Sequence, residues 1–141
     1  CPSDPKRIQR QKNGGSSYLL NDFLAVSVVD SFGRTLQQTP RLDQLRQPSE
    51  THLIFESSDD YGLSPFSDHT HARSWLNTGW KGVLADIQPD RHRHGAPNED
   101  HTKGSANYLF GDGHVSSIQA SQLKAWVENG INFALPGVNR N

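Results

Sequence analysis

Seven histidines in a chain of 141 residues are an enrichment, and their spacing is the first feature with chemical content. His69/His71 and His92/His94 are His-x-His pairs, and Asp112/His114 repeats the same interval. In an extended segment residues two apart project to one side, so each pair can offer two donors to a single ion. Imidazole suits zinc or a similar transition metal, and a carboxylate can complete such a site. The set to test for convergence is therefore His92, His94, His101, Asp112 and His114. Calcium is the alternative cofactor, because Glu56, Asp59, Asp60 and Asp68 are hard oxygen donors in a stretch without Lys or Arg. No twelve-residue EF-hand loop is present, and the plainer reading of these groups is solvated acids and hydrogen-bonding histidines.

Other chemistries have weaker footing. There is no Gly-x-Ser-x-Gly elbow, and Gly111-Asp112-Gly113 lacks both the spacing and the lysine of a phosphate-binding loop. Cys1 is the single cysteine, which excludes an internal disulfide and leaves the redox compartment open. It is expected to lie in a flexible terminus with no partner to position it. Glu56 beside a histidine can act as a general base on paper. Tyr61, Trp75, Trp80 and Phe66 fall in or beside an irregular central region. They form either a binding surface for a sugar or a protein, or a satellite core over a sheet.

These groups need elements to hold them. Asn107 to Phe110 alternates polar and apolar residues, Gly111-Asp112-Gly113 tolerates a tight turn, and His114 to Ile118 resumes the extended pattern. The reading is a hairpin in which Asp112 first serves the turn by accepting backbone N–H groups. Leu53-Ile54-Phe55 within Thr51 to Glu56 reads as a central strand covered on both faces. Tyr18 to Val29 reads as a strand, a turn at Asn21-Asp22, and a second strand from Phe23. Thr39 to Leu45 carries the signals of a one- to two-turn helix, and Ser121 to Asn129 those of a helix capped by Ser121 and stopped by Gly130. Gly82 to Ile87 reads as a further short strand. Cys1 to Ser17 reads as an extended lead-in and loop, Ser57 to Asn77 as a long loop with one helical turn near Ala72 to Leu76, and the tail after Pro136 as frayed.

Size and composition fit one domain over residues 1–141 with a modest core. Hydrophobic content is 33%, low against the usual ~45% even allowing that the latter figure counts glycine. The mix indicates a loop-rich α+β fold of short antiparallel strands. A net charge of −1 makes no electrostatic case for nucleic acid or an anionic membrane. No window approaches the roughly 18 consecutive apolar residues of a membrane span.

The hairpin text also resembles a family. Gly104-Ser105-Ala106-Asn107-Tyr108-Leu109-Phe110 before Asp112-Gly113-His114-Val115 is similar to the C-terminal signature of bacterial prepilin-like, or pseudopilin-like, proteins. That signature is a histidine, nine residues, then Asp-Gly. Its counterparts here are His101, Asn107, Asp112, Gly113 and His114, although ten residues separate His101 from Asp112. The extra residue is expected in the loop from Thr102 to Ser105. Cys1-Pro2-Ser3-Asp4-Pro5, Ser16-Ser17-Tyr18 with Asn21, and Pro48-Ser49-Glu50-Thr51 before the central strand agree with the family in order.

The resemblance implies a pilin-like head: an antiparallel sheet with a C-terminal helix, packing on an N-terminal membrane-anchored helix that these residues do not include. It implies a structural subunit of a type II secretion or type IV pilus-like envelope assembly, outside the cytoplasm. The partners would be other pilin-like subunits and, for secretion, a transported substrate. Membrane contact would come only through the anchor, and no catalysis is expected. Major pseudopilins use a calcium ion to order a loop, which raises calcium here by fold-level analogy. The alternatives are a secreted or surface binding module and a metal-dependent enzyme.

Overall fold

The computed structural model describes residues 1–138. In chain order its elements are α1 (Arg7–Lys12), β1 (Tyr18–Leu20), α2 (Asp22–Ala25), β2 (Val28–Val29), β3 (Thr35–Gln37), β4 (His52–Glu56), α3 (Trp75–Asp86), β5 (Ser105–Phe110), β6 (Val115–Gln119) and α4 (Ala120–Glu128). Short 3₁₀ turns occupy Leu42–Gln44, Pro48–Glu50 and Ala72–Ser74. One antiparallel sheet of four strands has the order β1-β4-β5-β6, and β2 and β3 form a separate ribbon. The fold is α+β with short strands.

The expected hairpin is β5–β6, in continuous register from Ser105 opposite Gln119 to Leu109 opposite Val115. Its turn closes through Gly113 N–H to the Phe110 carbonyl at 2.9 Å, and Asp112 Oδ1 accepts the His114 N–H at 3.1 Å. That backbone bond, with the His114 ring, holds the Asp112 carboxyl below its ordinary value. β4 is central, between β1 and β5. A register shift between His52 and Ile54 reverses the alternation, so that His52 and Phe55 both reach the core.

That core lies on one face of the sheet. Leu19, Phe55, Tyr108 and Phe110 meet Trp75 and Val83 of α3, Leu123 and Val127 of α4, and Phe133 beyond it. Aromatic rings pack edge to face there, as between Phe55 and Trp75 at 5.8 Å and Phe55 and Tyr108 at 5.9 Å. His52 stands among them with Nδ1 2.8 Å from the Phe133 carbonyl. α4 begins at Ala120 rather than after a Ser121 cap, with Gln119 at the N-cap and no side-chain cap bond.

Several expected elements differ. Gly82 to Asp86 is the end of α3, not a strand, with Val83 buried in the core; only Ile87, the extended residue at its C-cap, makes an isolated antiparallel bridge to Ser57. Gly79 folds that helix back with φ 65°, ψ −159°, a backbone state that L side chains rarely adopt. The bend lets Trp75 Nε1–H donate to Asp86 Oδ2 at 2.8 Å. In an uninterrupted helix the eleven-residue interval would separate them by ~16 Å along the axis. Phe23 lies in α2, capped by the Asn21 side chain, because that asparagine supplies the acceptor for the Phe23 N–H. The Thr39–Leu45 helix is a single 3₁₀ turn at Leu42–Gln44. The tail after Pro136 is described only to Val138, and residues 139–141 lie outside the described residues.

The lead-in also departs from expectation, since it contains α1 and is anchored by a buried ion pair. Arg10 Nε lies 3.0 Å from Asp4 Oδ2, both side chains almost fully buried. Arg10 also donates to the carbonyls of Ser58 at 2.7 Å and Gly62 at 2.8 Å. Burial alone would raise the Asp4 carboxyl. Hydrogen bonds from Ser17 and the Lys6 N–H, with the Arg10 charge, outweigh it and hold Asp4 below its ordinary value. Because the folded value is the lower one, this stabilisation is present above the ordinary carboxylate range and is lost as pH falls toward the folded value. Asp4→Asn should cost about 3 kcal/mol at neutral pH by stranding a buried guanidinium. Urea unfolding at stepped pH should show that gap narrowing below about pH 4; a constant gap would contradict the assignment.

Candidate functional site

The site forms where β4 and β5 separate. Phe55 faces the core, so Glu56 turns to the opposite face, beside Tyr18 in register. Beyond Ile54 and Leu109 the ladder opens, and the Glu56 side chain takes up the backbone donor left behind. Its Oε2 accepts the Asn107 N–H at 3.1 Å. The Glu56 carbonyl accepts from Gln88 N–H at 3.0 Å, which brings the next loop to the strand end.

Two further side chains close on this carboxylate. His92 Nε2 lies 3.1 Å from Oε2 and 3.3 Å from Oε1, and the Cys1 Sγ lies 3.0 Å from Oε1. The Asn107 side-chain amide is 3.0 Å from the same His92 nitrogen. Glu56 is buried, with 3% of its side chain exposed, while Cys1 and His92 are half-buried. The donor atoms of Cys1, Glu56 and His92 all lie within 4.8 Å of one another. Tyr108, on the covered face, has its phenol raised by burial first and then by the Glu56 and Asp90 charges, so it stays neutral.

Each arm is held separately. Cys1 is fixed by its own carbonyl accepting from Asp4 N–H at 3.2 Å, ahead of the Asp4–Arg10 pair. It is therefore positioned, contrary to the expectation of a flexible terminus. His92 is fixed by its N–H donating to the Ser105 carbonyl at 2.8 Å. Arg91, one residue earlier, spans Asp59 at 2.6 Å and the Ser57 carbonyl at 2.5 Å.

The histidine set read from the sequence does not converge. His92 joins Glu56, but His94 is exposed, and His101 Nδ1 lies 3.1 Å from Asp90, a fully buried carboxylate that also holds Gln88. Asp112 pairs with His114 at 2.6 Å at the far end of the hairpin. His101 and Asp112 flank β5 from opposite ends, and six strand residues separate such ends by roughly 20 Å. At the near end His101 adopts a left-handed φ of 51°. Gly104 passes there so close to Arg93 that a Cβ would lie 2.8 Å from the arginine Cβ.

The calcium set is likewise dispersed: Asp59 faces Arg91, Asp68 lies 2.7 Å from His69 Nδ1, Asp60 is exposed, and Glu56 belongs to the cluster above. Nor do the aromatics form a binding patch. Trp75 is fully buried in the core, Trp80 is half-buried with its N–H on the Asp100 carbonyl, and Tyr61 is half-buried against the His69 carbonyl. Burial, followed by the charges of Asp86, Asp68 and Asp22, pushes the Tyr61 phenol up to about 12. Phe66 is exposed by itself at a loop tip.

Cys1, which sequence reasoning set aside, is the residue missed here. One signal pointed to the site: a carboxylate ending an apolar strand must find partners if the strand is covered. The chain matches no family model, no curated protein and no solved structure.

Glu56→Ala should strand the Asn107 N–H and the His92 ring together and cost about 2 to 3 kcal/mol. Hydrogen exchange should then show the Asn107 amide losing protection while the Ala106 and Tyr108 amides keep theirs. Unchanged exchange at Asn107 would mean that Glu56 does not hold the strand end.

Proposed function

We propose that this chain is the globular head of a structural subunit in a pilin-like envelope assembly of the type II secretion or type IV pilus kind, acting outside the cytoplasm. The observation that carries this reading is an apolar row left partly exposed on the face of the sheet away from α3 and α4. Leu20, Ile54, Leu109 and Val115 stand opposite one another in register and form one apolar row across all four strands. The helices α3 and α4 occupy the other face. Leu20 is 44% and Val115 62% exposed, a costly arrangement for a sheet face meant to meet only water. Beside the row, Leu20, Leu24, Ala25, Leu42, Leu53 and Ile54 line an apolar cavity of about 210 Å³.

An apolar helix laid across that row is the expected cover. Cys1 sits against Glu56, two residues along β4 from Ile54 of the row, so a helix joined ahead of it would start beside the row. The partners are then other pilin-like subunits through such helices, and in a secretion assembly the transported protein. Among the described residues no helix is long and apolar enough to cross a membrane.

Sequencing the gene upstream of the Cys1 codon should reveal a prepilin leader and about 20 apolar residues. A plain cleaved signal peptide in its place would refute the subunit reading. In the native host, Leu109→Asp combined with Val115→Asp should abolish incorporation of the protein into sheared filaments or the membrane-bound assembly. The isolated head should keep its circular dichroism spectrum. Normal incorporation of the double variant would remove the sheet face from the interface.

A further inference from the structure

We infer that Cys1, Glu56 and His92 form a zinc site that ties the entering segment of the chain to the sheet. The donors come from three separate parts of the molecule: the segment before α1, the end of β4, and the loop after α3. Sequence separations of 55 and 36 residues give no local reason for them to meet. The fold nevertheless brings Sγ, a carboxylate and an imidazole nitrogen within 4.8 Å of one another.

The donor types select the ion. One thiolate, one imidazole and one carboxylate are the mixed S, N, O set of zinc, whereas calcium takes six to eight oxygens and magnesium an oxygen octahedron. Tetrahedral zinc with its usual bond lengths sets neighbouring donors roughly 3.4 to 3.6 Å apart. Here Sγ–Oε1 is 3.0 Å and Nε2–Oε2 is 3.1 Å, so opening the group by a few tenths of an ångström makes room for the ion. Asn107 stands 3.0 Å from Nε2 and, with its amide turned over, offers an oxygen at the fourth position; water is the other occupant.

The site also meets the conditions that ordinary surface clusters fail. Glu56 is buried, the Asn107 N–H orients its carboxylate, and no lysine or arginine pairs with it among the described residues. Its companions are a thiol and an imidazole, both ligands when deprotonated at the coordinating atom. On binding, the Cys1 thiol releases its proton to solvent and sulfur donates the lone pair. His92 coordinates through Nε2 with its remaining proton on Nδ1. The bound ion would replace two hydrogen bonds with three coordinate bonds and fix the point where the chain reaches the open face. The zinc assignment does not depend on the subunit reading, since it uses only residues of the head.

Cobalt(II), spectroscopically visible in zinc sites, is the probe. Untagged, metal-free protein titrated with cobalt chloride should bind one equivalent and develop a thiolate-to-cobalt charge-transfer band in the near ultraviolet. One equivalent of zinc chloride should abolish that band, and a hundredfold excess of calcium chloride should not. Cys1→Ser should remove the band outright. Glu56→Gln and His92→Ala should each weaken cobalt binding more than about tenfold, while His94→Ala and His114→Ala leave it unchanged. Circular dichroism of each metal-free variant separates loss of binding from loss of fold, and Cys1→Ser, at a half-exposed position, decides the question even if Glu56→Gln unfolds. Absence of the band, its survival in Cys1→Ser, or its displacement by calcium would overturn the assignment.

Discussion

Glu56 is the constraint around which this structure is arranged. A carboxylate at the end of an apolar central strand cannot remain buried without donors, and here they come from three directions. Satisfying it fixes where β5 leaves β4, draws the loop after α3 across the sheet end, and seats the first residue of the chain. The paired register of Tyr18 with Glu56 sets β1 against the same point. Packing of Phe55 on one face and polar assembly around Glu56 on the other are consequences of a single strand alternating side by side.

The same device recurs wherever the apolar core is thin. Asp4 gathers the lead-in through Arg10, Asp86 ties His71 and Trp75 to the end of α3, and Asp90 ties His101 and Gln88 within the long loop. Each buried carboxylate closes a loop that hydrophobic contact alone does not hold. This is how a chain of low apolar content maintains order through long irregular segments. It also explains the histidines. His69, His71, His92, His101 and His114 each pair with a different carboxylate, Asp68, Asp86, Glu56, Asp90 and Asp112 respectively. Their abundance reflects many separate acid–imidazole contacts, not ligands shared around one ion.

Elements with local turn chemistry were legible in the sequence. The Gly-Asp-Gly turn announces β5–β6, the polar borders of Leu53-Ile54-Phe55 announce β4, and Gly130 ends α4. What escaped depends on contacts distant in sequence. α1 is held by Arg10 reaching carbonyls about fifty residues away, and α3 carries two glycines, one of them a bend, which mask its helical period. Within the site, His92 and Glu56 were visible as candidates but assigned to different ions, because spacing along the chain orders only residues on one element. Cys1 carried no local signal, since nothing near it in sequence supplies its partner. The open sheet face was legible only as far as the family resemblance implied it; its apolar row requires the register.

The subunit reading and the zinc site meet at one place, the corner of the sheet where Cys1 arrives. If an additional helix covers the apolar row, the junction between helix and head lies beside Glu56, and an ion there would set the angle at which the two join. The most direct measurement is a crystal structure of the zinc-loaded protein with anomalous data collected on both sides of the zinc absorption edge. A single strong anomalous peak bounded by Cys1 Sγ, the Glu56 carboxylate and His92 Nε2 is expected. An empty corner with the three side chains bonded to one another, or zinc bound elsewhere on the chain, would contradict the zinc site.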